Sequence, residues 1–213
     1  MLAIINNFNL LTWPKKMAEK LSENTSIEVL IVDNNSTYIP LLEWYDNCPF
    51  KVTKLTSNQG HRAGLQFAPD NDFFIYTDPD LDISSIPPDW LDNLMEGCLK
   101  YDCYKCGFGL ETNDLPDFPL TYWIKVWEGR WWNLMPEDNR FFNADIDTTF
   151  ALYNPKSVIC RQLRTNRPYM AKHLPWYLNP LKIDEEYTYY LDHIETETHW
   201  GKALKKRKDE GTE

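Results

Sequence analysis

The sequence predicts an α/β fold: a mainly parallel sheet flanked by helices, followed by a smaller mixed region. Three observations carry that expectation. Short runs in the first half, such as "LAIINN" (residues 2–7) and "SIEVLIVDNNST" (residues 26–37), are apolar without polar alternation, as strands covered on both faces are. Helix-forming segments separate these runs, which is the signature of parallel strands joined by crossovers. Each run also ends in a cluster of polar residues. In open parallel sheets the carboxyl ends of the strands are where ligands bind.

The elements follow in order. After the first strand, "TWPKKMAEKLSEN" reads as a helix with Thr12 as N-cap and Pro14 in its first turn. The second strand closes on Asp33, Asn34, Asn35 and Ser36. "FKVTKLTSNQG" is a third strand, "HRAGLQFA" a short helix and "DFFIYTDPD" the fourth strand. "PPDWLDNLMEGCLKY" is a helix with two prolines at its start. In the second half "CYKCGFGLE" and "TTFALY" read as strands and "LTYWIKVWEGRWW" as an aromatic helix. There Trp123, Trp127 and Trp131 share one face and are expected to pack in the core, with a sugar-stacking platform as the alternative. Pro168 to Pro180 reads as an ordered loop, "EEYTYYLDHIETE" onward as a helix, and "KKRKDEGTE" as a solvated charged tail.

Composition narrows the function. The 213 residues carry a formal net charge of −10, which argues against a nucleic-acid partner. The five cysteines have no framework spacing. The Cys103–Cys106 pair lacks a second pair to complete a zinc site, so buried thiols in a reducing compartment are expected. No apolar run approaches the ~20 residues that span a bilayer, and the N-terminus lacks signal-peptide character; a cytoplasmic location is the expectation.

The strand ends carry the chemistry. The first delivers Asn6, Asn7 and Asn9, the second Asp33 and its neighbours, the third Asn58, Gly60, His61 and Arg62, the fourth Asp78 and Asp80 with Asp82 nearby. Asn, Asp and Ser are ordinary turn formers, so any one cluster is weak; four at one edge make a site. Two carboxylates ~4 Å apart repel by ~4 kcal/mol at an effective dielectric of about 20. A hard divalent cation relieves that repulsion, because carboxylate oxygens are its preferred ligands. Pro79 restricts the backbone between the two acids.

"IEVLIVDNNST", "SNQGHRAGL" and "IYTDPDLDI", in that order, resemble the nucleotide-binding half of GT-A (Rossmann-like) glycosyltransferases, particularly the family 2 type. The resemblance covers roughly residues 2–100 well and the rest more loosely. It implies a nucleotide-sugar donor, a UDP-sugar favoured over a GDP-sugar, a divalent metal (Mn²⁺ or Mg²⁺), and a glycan or other hydroxyl acceptor. Residues 1–100 would be the nucleotide-sugar-binding half, 101–204 the acceptor-side and catalytic half of the same domain, and 205–213 the tail. By resemblance Asp33 binds the uracil or ribose side of the nucleotide, Asn7 and Phe8 border the base, Asn58 and Gly60 form the "N-x-G" segment, and Arg62 holds the nucleotide or its phosphates. Asp78 contacts the ribose or a metal-bound water and Asp80 ligates the metal.

An inverting transferase also needs a base for the acceptor hydroxyl. The nearest match to the family's acidic pair is "NADIDTTFALY", where Asp145 aligns but Ala144 replaces the expected Glu; Asp147 is the equal candidate. His199 sits where such enzymes supply a late histidine to the metal or diphosphate, and His173 lies in an aromatic loop able to cover donor or acceptor. A sugar-nucleotide nucleotidyltransferase is one rival, but it should carry a glycine-rich basic loop after the first strand, and "NNFNLLTWPKK" has no glycine. An inactive, glycan-binding relative is the other.

Overall fold

The computed structural model describes residues 1–118, 120–132, 138–194 and 201. The first half runs β1 (Leu2–Asn7), α1 (Thr12–Ser22), β2 (Glu28–Asp33), α2 (Ile39–Tyr45), β3 (Lys51–Lys54), a 3₁₀ turn at Ala63–Phe67, β4 (Phe74–Thr77), β5 (Leu81–Asp82) and α3 (Trp90–Lys100). The second half runs β6 (Lys105–Gly107), β7 (Gly109–Leu110), α4 (Thr121–Trp132), β8 (Phe141–Asn143), β9 (Ala151–Tyr153), β10 (Gln162–Thr165), β11 (Met170–His173) and α5 (Glu185–His193).

One eight-stranded sheet has the order β3-β2-β1-β4-β9-β6-β10-β8, and β5, β11 and β7 form a small sheet beside it. Strands β3, β2, β1 and β4 are mutually parallel. β9 runs antiparallel to both β4 and β6, and β8 antiparallel to β10, while β10 and β6 are parallel. A mainly parallel sheet flanked by helices, with a smaller mixed sheet, is the GT-A-like architecture that the sequence predicts. No helix among the described residues is long and apolar enough to cross a membrane.

The apolar strands account for the core. Ile4, Ile5, Ile31, Val32, Ile75 and Tyr76 are wholly buried, with Met17, Ala18 and Leu21 of α1 on one face of the sheet. Gly107 marks the tightest approach in the second half: a Cβ there would lie 2.4 Å from the Phe150 carbonyl oxygen. Cys98, Cys103 and Cys106 are buried free thiols, and the Cys103–Cys106 pair does lead into a strand.

Three local expectations change. Thr12 is the first helical residue of α1 and its side chain makes no cap. Instead the Glu186 carboxylate, 174 positions downstream, accepts from the Thr12 N–H at 2.8 Å and the Thr12 hydroxyl at 2.6 Å, as well as from the Leu11 N–H. An anion at the helix N-terminus satisfies the orphan donors and suits the helix dipole. The 168–180 segment is not simply a loop, for it contains β11 and a 3₁₀ turn at Leu174–Tyr177. Two of the tryptophans of α4 face solvent, Trp123 at 61% and Trp127 at 50% exposure, whereas Trp131 and Trp132 are half-buried and Thr121, Ile124 and Glu128 point inward.

Candidate functional site

The register of the sheet explains how the site assembles. Asn7 pairs with Asp33, and Asp33 with Lys54, so β1, β2 and β3 end at one edge; Thr77 ends β4 beside Ile5. A parallel strand delivers to this edge the residues that follow it. β9 runs the other way, so it delivers the residues that precede it. Tyr76 pairs with Ala151, which brings the residues just before β9, Asp147 and Thr148, up to the Asp78–Asp80 turn. The Thr148 carbonyl accepts from the Asp78 N–H at 3.2 Å, and the Thr148 hydroxyl donates to Asp78 Oδ2 at 2.7 Å.

The small sheet adds the third side. Leu81 and Asp82 pair with His173 and Lys172 of β11, and the Leu174 N–H donates to the Asp80 carbonyl at 2.8 Å. This places His173 Nε2 3.4 Å from Asp80 Oδ2. Among the described residues Asp80 Oδ1 and His173 Nδ1 are buried without a hydrogen-bond partner. Burial first, and the Asp80 carboxylate second, push the Asp78 carboxyl up to about 7, against the Thr148 hydroxyl bond that favours its anion.

Helix α5 closes over this turn. Asp184 caps it by accepting from the Tyr187 N–H at 2.7 Å. Tyr190 meets Phe8 edge-on at 6.4 Å and packs on Tyr187 at 5.2 Å. Burial, and then Asp80, raise the Tyr190 phenol, and burial dominates for Tyr187, on which Asp80 also acts. Neither tyrosine stands out in the sequence, since their helical spacing is that of ordinary packing.

The acidic loop itself is held from beneath. From Asn143 to Thr148 exposed and buried residues alternate, with Asp145 and Asp147 outward and Ala144, Ile146 and Thr148 inward. Lys105, 8% exposed, donates from Nζ to the Ile146 and Asp147 carbonyls at 2.6 and 2.7 Å. Burial lowers the Lys105 ammonium to about 8, with Asp147 and Asp78 pulling it back up and Arg62 pushing it down. Arg164, also buried, donates from Nε to the Asp145 carbonyl at 2.7 Å and pairs with Glu128 at 2.8 Å. Gln162 accepts from the Ile146 N–H at 2.8 Å. Three successive carbonyls are thus held by two buried cations, which leaves both candidate carboxylates free in solvent. A lysine on a short strand gives no sequence signal of this role.

The other sequence-predicted residues form a second, interlocked group. Asn7 is wholly buried, its amide donating to the Leu10 carbonyl at 2.7 Å and the Tyr45 hydroxyl at 2.9 Å. Asp33, 2% exposed, accepts from Tyr45 at 3.2 Å and from the Ser36 N–H at 3.0 Å. Asn58 accepts from Asn34 at 2.7 Å and from the Gly60 N–H at 2.9 Å. Asn9, Asn35 and Gly60 have φ of 52°, 67° and 79°, the left-handed turn geometry that Asn and Gly adopt at least cost. Asn9 Oδ1 also accepts from the Thr37 and Tyr38 N–H groups at 2.7 and 3.0 Å, stapling the first loop to the second. Phe8 is half-buried, and Arg62 is exposed on the side of Lys105 and Asp78. His199 lies outside the described residues.

A divalent cation fits the Asp78–Asp80 turn in its chemistry. Two adjacent carboxylates, one raised by the other and one with a buried, unpartnered oxygen, are relieved by a hard cation. Among the described residues no three His, Cys, Asp or Glu side chains converge on one point.

No protein-family model matches the chain. No curated protein matches it either. Among solved structures the chain is similar to mannose-6-phosphate isomerase from Helicobacter pylori, at 11% identity and a TM-score of 0.42, over 78% of this chain and 86% of that one.

Proposed function

We propose that the protein is a metal-dependent, inverting glycosyltransferase of the family 2 type, moving a sugar from a nucleotide diphosphate to a glycan or other hydroxyl acceptor. The observation that carries this reading is the meeting at one sheet edge of the Asp78–Asp80 turn, His173 and the Asp147–Thr148 segment, whose Asp147 is exposed. Asp80, Asp78 and His199 would hold the cation; when bound, it supplies neutralisation of the departing diphosphate. Asn7 and Asp33 form the floor of the nucleotide site, and Phe8, Asn58, Gly60 and Arg62 face the nucleotide. Thr148 orients the Asp78 carboxylate. Asp145 or Asp147 takes the proton from the acceptor hydroxyl, and its exposure leaves it ready to meet that acceptor. His173 and Tyr190 close the donor side against water.

Calorimetric titration with UDP and with GDP, each with and without Mn²⁺, tests the donor site. One nucleotide should bind in a metal-dependent manner, and Asp80→Ala should weaken that binding by at least ~10-fold, the scale of losing a charged ligand contact. Binding of neither nucleotide in the presence of metal would sink the reading.

Lys105 supplies a second test. Lys105→Met strips the Ile146 and Asp147 carbonyls of their donor and should lower the transfer rate by roughly 10–100-fold through misplacement of the acidic loop. The donor KM should change by less than about 3-fold, because the loop acts on the acceptor. A rise in donor KM with an unchanged kcat would assign Lys105 to donor binding instead.

A further inference from the structure

Helix α4 carries large apolar side chains toward solvent as well as toward the core, where Ile124 is buried and Trp131 and Trp132 are half-buried. Its inward face carries Thr121, Ile124 and Glu128, and the glutamate is buried only because Arg164 meets it. Its outward face carries Tyr122, Trp123, Val126 and Trp127 at 65%, 61%, 53% and 50% exposure. On a helix wheel these four fall within one continuous arc, and Arg130 falls inside that arc, with Lys125 outside it on the side of Thr121. A solvent-facing helix keeps its apolar stripe toward the core and its charges outward. A contiguous apolar patch left facing out marks a binding surface.

The chemistry of the face selects among occupants. A second copy of this chain, paired symmetrically through α4, would bring Lys125 and Arg130 of both copies into one interface, with only the Asp117 carboxylates beside Lys125 to offset them among the residues lining the pocket there. A sugar would need free ring faces to stack on, but the Arg130 guanidinium already covers the Trp127 ring at 3.5 Å. A phospholipid surface needs what is present: indole and phenol rings at headgroup depth, one aliphatic residue between them, and basic side chains for the phosphates. Both exposed charges of the helix are positive in a chain of net charge −10, so the complementarity to phosphate is local.

We propose that α4 docks the protein on a phospholipid membrane surface, with Tyr122, Trp123, Val126 and Trp127 entering the interface and Lys125 and Arg130 on the lipid phosphates. This surface does not depend on the sugar-transfer reading. The test is flotation of the full chain with phosphatidylcholine vesicles, with and without added phosphatidylglycerol. Wild type should float with vesicles, and Trp123→Ser/Trp127→Ser should lower the partition coefficient by ~10-fold or more, the loss expected when two half-exposed indoles no longer leave water. Lys125→Gln/Arg130→Gln should reduce the gain given by phosphatidylglycerol. The substituted side chains are exposed, and a circular-dichroism melt matched to wild type shows that the variants fold. Absence of flotation with either composition overturns the proposal, as does equal flotation of the double-serine variant. Self-association of wild type abolished by the same variant would also overturn it, by making the face a contact between copies.

Discussion

Glu128→Ala should cost the fold about 3–5 kcal/mol, the penalty of leaving one member of a buried ion pair uncompensated. Glu128 and Arg164 have side chains only 4% and 7% exposed and meet at 2.8 Å. With the carboxylate gone, the guanidinium retains the Asp145 carbonyl and the face of Trp131 at 5.0 Å, neither of which neutralises it. For a domain of this size the loss translates into a fall in Tm of roughly 6–20 °C. Replacing both partners, Glu128→Met with Arg164→Met, should recover most of the stability, because two apolar side chains of similar volume remove the stranded charge. A Glu128→Ala melt within about 1 kcal/mol of wild type would mean that Arg164 finds water, and the pair would lose its structural role.

The second large effect concerns Asp78 and runs against the usual behaviour of carboxylates. Its folded-state value is raised from 3.8 to about 7, so the folded protein holds this proton more tightly than the unfolded chain does. The resulting stabilisation is complete below about pH 4, declines as the pH rises, and is gone above about pH 7. In metal-free protein kept in chelator, this site therefore makes the fold weaker from acid toward neutral pH. Asp78→Asn should remove that decline and exceed wild type by roughly 2–4 kcal/mol at neutral pH, since every tenfold gain in proton affinity on folding corresponds to ~1.4 kcal/mol. The amide oxygen can still accept from Thr148, so the local hydrogen bond survives. Denaturant unfolding of both proteins across the window measures it. An asparagine variant less stable than wild type at neutral pH would show that the folded protein welcomes the ionised carboxylate. Added Mn²⁺ should stabilise wild type more than the variant, because a cation displaces the proton that asparagine does not have.

The first half of the fold was legible because β1, β2 and β4 are uniformly apolar enough to show burial on both faces without any partner in view. Their polar ends were legible for the same reason, as abrupt changes in composition. β8, β10 and β11 escaped because they are short and not uniformly apolar: Asn143, Arg164 and Lys172 interrupt them, whereas the equally short β4 sits in the apolar run "FFIYT". α2 escaped because "IPLLEWY" spans barely two turns. The direction of β9 is not written in "TTFALY" at all; it follows from which neighbours β9 joins. The Asp78–Asp80 turn and the 145–148 loop could each be singled out, but Lys105, Glu128, Arg164 and Glu186 act on residues 19 to 175 positions away, and such separations leave no local pattern. The tryptophans of α4 failed for the opposite reason. Spacing alone does not say which way a face points, and here the face turns from solvent at Trp123 and Trp127 to the half-buried Trp131 against Arg164.

The reversed strand β9 has a consequence for how the chain is made. β4 is wholly buried, yet one of its edges is closed only by a strand that lies about 75 residues later in synthesis. At the ~5–20 residues per second of a ribosome, that edge stays bare for several seconds after the first three strands could have paired. A flat apolar edge is a template for another chain. Much of the risk of misassembly therefore falls in a brief interval of biosynthesis, and a fragment ending near residue 100 would make that interval permanent.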